Sequence, residues 1–113
     1  MSGRDRIILQ KIVKYINEAL SYTQRIDFDA FSQDSKTMFA TAFVLGQIGE
    51  LAKEISSEIE TAYPEIPWKG MRGMRNKIVH DNENVDLAML WDVIASDLPE
   101  LLTQIDSLLS ENK

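Results

Sequence analysis

The sequence predicts an all-α protein, an antiparallel bundle of four to five helices that forms one domain over residues 1–113. Three observations lead there. Apolar residues recur at steps of three and four in each long segment, the spacing that puts side chains on one face of an α-helix. They make up 44% of the chain, which argues for a folded globule and against disorder. The 113 residues hold no internal repeat, linker or low-complexity tract, so there is one core and no domain boundary.

The first helix is expected from Asp5 to Thr23. Asp5 suits the N-cap, and Ile8, Leu9, Ile12, Val13, Ile16, Ala19 and Leu20 form the stripe to be buried. From Gln24 to Ser35, Phe28 and Phe31 alternate with Asp27, Asp29 and Asp34. That pattern reads as a loop with a short helical turn whose rings plug the end of the bundle. A base-stacking platform would need flanking cations and strand-type spacing, which are missing here.

The second helix is the long one, Ser35 to Ala62, with Met38, Ala42, Leu45, Ile48, Ala52, Ile55, Ile59 and Ala62 in register. It should be the spine of the bundle. Gly46 and Gly49 would each weaken an isolated helix by about 1 kcal/mol relative to alanine, so close approach of another helix, either the motif helix or a dimer mate, is the expected reason for them. Glu50 and Glu54 stand one turn apart with Lys53 between them. With no cysteine and one histidine in the chain, they read as surface charge, or as an ion pair holding Arg75, ahead of a metal site. Tyr63-Pro64 stops the helix and Pro67 suits the first turn of the next, where Trp68 should enter the core.

A third helix is expected from Trp68 to His80, ending in the turn-forming run Asp81-Asn82-Glu83-Asn84. The last segment starts with Asp86 as N-cap and carries Leu87, Leu90, Trp91, Ile94, Leu98, Leu101, Leu102, Ile105, Leu108 and Leu109. Pro99 interrupts it, which predicts two helices or one kinked helix hinged near Asp97.

Charge and composition narrow the function classes. The net charge of −6 argues against a protein that coats nucleic acid, because such binding depends on cations that displace counterions. A local patch remains, since Lys69, Arg72, Arg75 and Lys77 fall close together on the third helix. Arg4, Arg6, Lys11 and Lys14 read first as a solvated face. The absence of cysteine excludes disulfides and thiolate metal sites and fits a reducing compartment. No apolar run approaches the roughly 18 residues of a membrane span, and the N-terminus has no signal-peptide core. A soluble, cytoplasmic protein is expected, with no cofactor and no metal.

On a helical wheel at about 100° per residue, Arg72, Arg75, Asn76 and His80 share one polar sector beside an apolar stripe of Met71, Met74 and Ile78. Those groups suit phosphate chemistry. A histidine moves a proton at neutral pH, an arginine grips phosphate oxygens and stabilises developing charge, and an asparagine amide orients either partner. Spacing alone leaves open the plainer role of a histidine that partners the last carbonyls of its helix.

The run Tyr63-Pro64-Glu65-Ile66-Pro67-Trp68, then Gly73-Met74-Arg75-Asn76-Lys77-Ile78-Val79-His80, Val85-Asp86, Trp91 and Leu98-Pro99, resembles the HepT-like ribonuclease toxins of the HEPN superfamily. Ile48-Gly49-Glu50 resembles that family's middle helix. The family signature of an arginine, a polar residue, three variable positions and a histidine maps onto Arg75, Asn76 and His80. The resemblance implies a HEPN-like homodimer and a metal-independent endoribonuclease site where the two motifs meet. It also implies toxin–antitoxin pairing with a minimal nucleotidyltransferase antitoxin. On that reading Arg75, His80 and Asn76 are catalytic, and Arg72, Lys69 and Lys77 bind substrate. One position departs from the pattern, because the tyrosine that such antitoxins modify is replaced by Asn82. Two other readings stay open: a non-catalytic module that binds a nucleotide or the nucleotidyltransferase, and a helical dimerisation domain in which Arg75 and His80 pair with Glu50 or Asp86.

Overall fold

The computed structural model describes residues 1–79 and 85–113. Over these residues the chain is a helical bundle, and an isolated antiparallel bridge between Val79 and Val85 is the β-type pairing among them. In chain order the elements are α1 (Gly3–Thr23), α2 (Phe28–Ser32), α3 (Ser35–Ala52), α4 (Ser57–Ala62), α5 (Trp68–Arg72), α6 (Met74–Ile78), α7 (Leu87–Asp92), a π-helical turn (Val93–Asp97) and α8 (Leu98–Glu111). No helix of the described residues is long and apolar enough to cross a membrane.

The centre of each expected apolar stripe is core, while Ala62 at the end of one is exposed and Val44, Ile66 and Val93 join the core from off the stripes. Leu9, Ile12 and Ile16 of α1, Leu45 and Ile48 of α3, and Leu98 and Ile105 of α8 are fully buried. The α1 helix packs on α3 and α8, and α3 packs in turn on α5 and α6. Contacts at the helix ends reflect the antiparallel arrangement. Arg4 at the start of α1 meets Glu54 beyond the end of α3 at 3.2 Å, and Arg6 donates to the Asn112 carbonyl beyond the end of α8. Both rings of α2 rest on Trp91, but only Phe31 is buried as the aromatic pattern predicts, and Phe28 stays 38% exposed.

Three element boundaries need correction. The cap of α1 is Ser2, whose hydroxyl accepts from the Asp5 amide at 3.0 Å, and not Asp5 itself. Asp5 instead turns inward and accepts from the Ser56 amide at 3.1 Å and the Ser56 hydroxyl at 2.6 Å. This second contact explains the next difference. The long helix does not reach Ala62 without a break: α3 ends at Ala52 and tightens through short-range bonds from Lys53, Glu54 and Ile55, after which Ser56 caps α4. The stripe at Ile55 and Ile59 continues across this break, so apolar spacing alone cannot show it.

The third boundary lies in the stretch that carries the candidate site residues. The helix expected from Trp68 to His80 is two short helices, α5 and α6, hinged at Gly73, and α6 is capped at Val79 by an extended residue. His80, Asn82 and the rest of the run to Asn84 lie outside the described residues. Downstream, Asp86 caps α7 by accepting from the Met89 amide at 3.0 Å, as its position predicts. Pro99 sits in the first turn of α8, and the π-helical turn just before it takes up the mismatch near Asp97.

Candidate functional site

Arg75, Asn76 and Lys77 are exposed on α6, while Met74 and Ile78 of the same helix are buried. The alternation follows from the pattern Met-Arg-Asn-Lys-Ile, which gives a short helix two apolar anchors one turn apart and leaves the three residues between them outward. Arg75 lines a groove of about 570 Å³ whose other walls include Phe39, Phe43 and Gln47 of α3, together with Val79 and Val85. Two of these wall residues pair with each other, Val79 of the candidate motif and Val85 beyond it, through an antiparallel bridge.

One glycine of α3, Gly49, makes this approach possible. A β-carbon at Gly49 would stand 3.0 Å from the Met71 carbonyl oxygen and 3.6 Å from that of Arg72, so α5 lies hard against this position. At Gly46 the neighbour is the Arg75 side chain, with its Cδ at 3.8 Å from such a β-carbon. The close-packed neighbour expected of these glycines is the α5 backbone at Gly49, while at Gly46 the stem of Arg75 stands at ordinary contact distance.

The basic residues that share a sector on the wheel do not share a site. The hinge at Gly73 separates Arg72 from Arg75, and the Arg72 guanidinium is held by the Glu60 carboxylate of α4 at 2.5 Å. Lys77 faces the other way, 3.8 Å from Asp97 in the π-helical turn. Lys69 is exposed on α5. Glu50 lines the Arg75 groove, but its ion-pair partner is Lys53 at 2.9 Å and not Arg75, and Glu54 is taken by Arg4. Among the described residues Arg75 makes no ion pair. A structural role for Arg75 as the partner of Glu50 is thus not what the geometry shows.

Spacing did not single out Phe39 and Phe43. They are the most exposed large apolar side chains among the described residues, at 59% and 65%, and both border the Arg75 groove. Their signal in the sequence is a pair of phenylalanines four apart on the spine, off its buried stripe. Gln47, one turn further along, is half-buried in the same wall.

Comparison with known proteins converges on one family. The family model described as "Ribonuclease HepT-like" matches residues 12–108. A protein of Thermococcus cleftensis named "Probable ribonuclease HepT" is 36% identical over 100 residues, covering 88% of this chain and 91% of the relative. Two proteins of Methanocaldococcus jannaschii are similar over greater length. The one named "Putative RNase MJ0127" is 28% identical over 94% of this chain and 88% of its own, and "Putative RNase MJ0125" is 29% identical over 98% and 97%. No solved structure matches.

Proposed function

The chain belongs to the HepT-like ribonuclease family, and from that premise we propose that it is a metal-independent endoribonuclease toxin working as a homodimer in the cytoplasm. The observation that carries this reading is the placement of Arg75. An arginine without a carboxylate partner among the described residues, on a helix whose next residues lead into the histidine of the motif, is available to an anion from outside the protein.

Dimerisation supplies what one chain lacks. Cleavage by 2′-hydroxyl attack needs one group to take the hydroxyl proton and another to give a proton to the departing 5′-oxygen, and the chain has one histidine. A second copy seated on the Phe39–Phe43 face would bury two exposed rings and bring both motifs to one cleft. One His80 then accepts the 2′-hydroxyl proton as the 2′-oxygen bonds to phosphorus. The other His80 protonates the 5′-oxygen as the phosphorus–oxygen bond breaks. The products are a 2′,3′-cyclic phosphate and a free 5′-hydroxyl. Arg75 stabilises the charge of the phosphorane and Asn76 orients His80. Lys69, exposed on α5, can meet the RNA backbone, while Arg72 and Lys77 are held by Glu60 and Asp97 and add little to the field around Arg75.

The partner on this reading is a minimal nucleotidyltransferase antitoxin. With Asn82 in place of the acceptor tyrosine, it silences the toxin by binding and not by modification at that position. The test combines three measurements on purified protein. RNA cleavage that disappears in His80→Ala and in Arg75→Ala, with melting temperature and dimer mass unchanged, is the expected result. Partner or nucleotide binding by a wild type that cleaves nothing would replace the enzyme with a binding module.

A further inference from the structure

The α6 helix has a second groove on its other side. About 340 Å³ lies between α5–α6 and the π-helical turn with α8, floored by Met71, Met74 and Leu101 and rimmed by Glu65, Asp97 and Glu100. The floor is apolar and the rim carries three carboxylates against one ammonium, that of Lys77, which is engaged with Asp97. Among the described residues neither Glu65 nor Glu100 forms an ion pair. We infer that this groove receives a segment of a partner protein presenting arginine or lysine side chains, their aliphatic stems on the methionine floor and their charged heads among the rim carboxylates.

Charge chooses among occupants. A phosphate backbone meets two uncompensated carboxylates here and is repelled, so the groove is not a continuation of the RNA site proposed around Arg75. The volume holds one or two long side chains and not a packed helix, which suits residues projecting from a segment that runs over the rim. Methionines in the floor adapt to such stems without a fixed shape. This proposal does not depend on catalysis, because it uses the face of α6 that carries Met74 and Lys77, and not that of Arg75.

The test uses the full chain with isotope-labelled amides and a synthetic amphipathic peptide of about ten leucine and arginine residues. Shifts confined to residues around Met74, Lys77, Asp97 and Leu101 are expected, with binding roughly tenfold weaker for the Glu65→Gln/Glu100→Gln double variant. The same loss is expected when citrulline replaces arginine in the peptide. Both glutamates are exposed, so the variant should melt as the wild type does. Shifts elsewhere, undiminished binding by the double variant, or equal binding of the citrulline peptide would overturn the inference. So would an RNA oligonucleotide that perturbs these same amides, or free arginine amide that binds as tightly as the peptide.

Discussion

Arg72 and Arg75 stand three residues apart in the same basic run, and each lies over a glycine of α3, yet the fold uses them differently. Arg72 sits where α5 presses its backbone on Gly49, and its guanidinium is closed by Glu60. Arg75 lays its stem beside Gly46 and opens into a groove, with no carboxylate engaged among the described residues. The difference teaches that local basic density does not define a phosphate site. What decides is whether the tertiary structure has already neutralised a given cation. The break at Ala52 and the hinge at Gly73 do that sorting: the first lets α4 present Glu60, and the second turns Arg75 away from it.

The sharpest way to break the comparison is to remove each arginine and measure activity and stability together. Arg75→Ala should lower RNA cleavage by about 100-fold or more, the scale of losing one donor to transition-state charge, with no change in melting temperature. Arg75→Lys keeps the charge but loses the two-pronged grip, and should fall between. Equal losses of cleavage for Arg72→Ala and Arg75→Ala, at equal stability, would erase the distinction.

The glycine pair offers the next largest effect. Gly49→Ala forces a methyl to 3.0 Å from the Met71 carbonyl, against backbone that can move only with α5, and should destabilise by about 1–3 kcal/mol. Gly46→Ala meets the flexible Arg75 stem at an ordinary 3.8 Å and gains helix propensity, so it should be neutral or stabilising by up to about 1 kcal/mol. Chemical denaturation of the two variants reads both signs. Destabilisation by Gly46→Ala would mean that α3 and α6 approach more closely than the groove suggests.

Much of this was legible in the sequence, because the buried stripes of α1, α3 and α8 are periodic and periodicity reports a face directly. The stop at Tyr63-Pro64, the start at Pro67, the Asp86 cap and the disturbance before Pro99 are legible because proline and side-chain caps act on their own neighbours. The breaks at Ala52 and Gly73 were not. Each is held by a contact distant in the chain or by a glycine with near-helical backbone angles (φ −91°, ψ 4° at Gly73), and neither disturbs the apolar spacing. For the same reason the wheel grouped Arg72 with Arg75, since it assumes one unbroken helix. The exposed rings of Phe39 and Phe43 lie off the stripe, and apolar spacing carries no signal for such positions.

Asp5 tests whether the α3–α4 break is held from outside. Burial raises its carboxyl pKa, but hydrogen bonds from the Ser56 hydroxyl and amide and from Ser2 outweigh that and hold it below the ordinary value. Because the folded pKa lies below the unfolded one, the stabilisation is complete above roughly pH 4 to 5 and is lost as pH falls through the carboxylate range. Asp5→Asn should cost about 1–2 kcal/mol at neutral pH. The gap in melting temperature between variant and wild type should then narrow as pH is lowered toward 3. A gap independent of pH would assign the contact to packing and not to charge.

The smallest effect is the most direct probe of why Arg72 is closed. Its pair with Glu60 is partly exposed, with about a third of each side chain open to solvent, so Coulomb attraction is screened and the coupling should be about 0.5–1 kcal/mol. A double-mutant cycle with Arg72→Met and Glu60→Gln isolates that energy from the packing of the arginine stem. The informative variant is Glu60→Gln alone, because it leaves Arg72 in place with its charge released. If closure by Glu60 is what keeps Arg72 from phosphate, this variant should bind single-stranded RNA more tightly than the wild type, with a steeper salt dependence and nearly unchanged stability. Unchanged RNA affinity would show that orientation imposed by the Gly73 hinge, and not neutralisation, separates the two arginines.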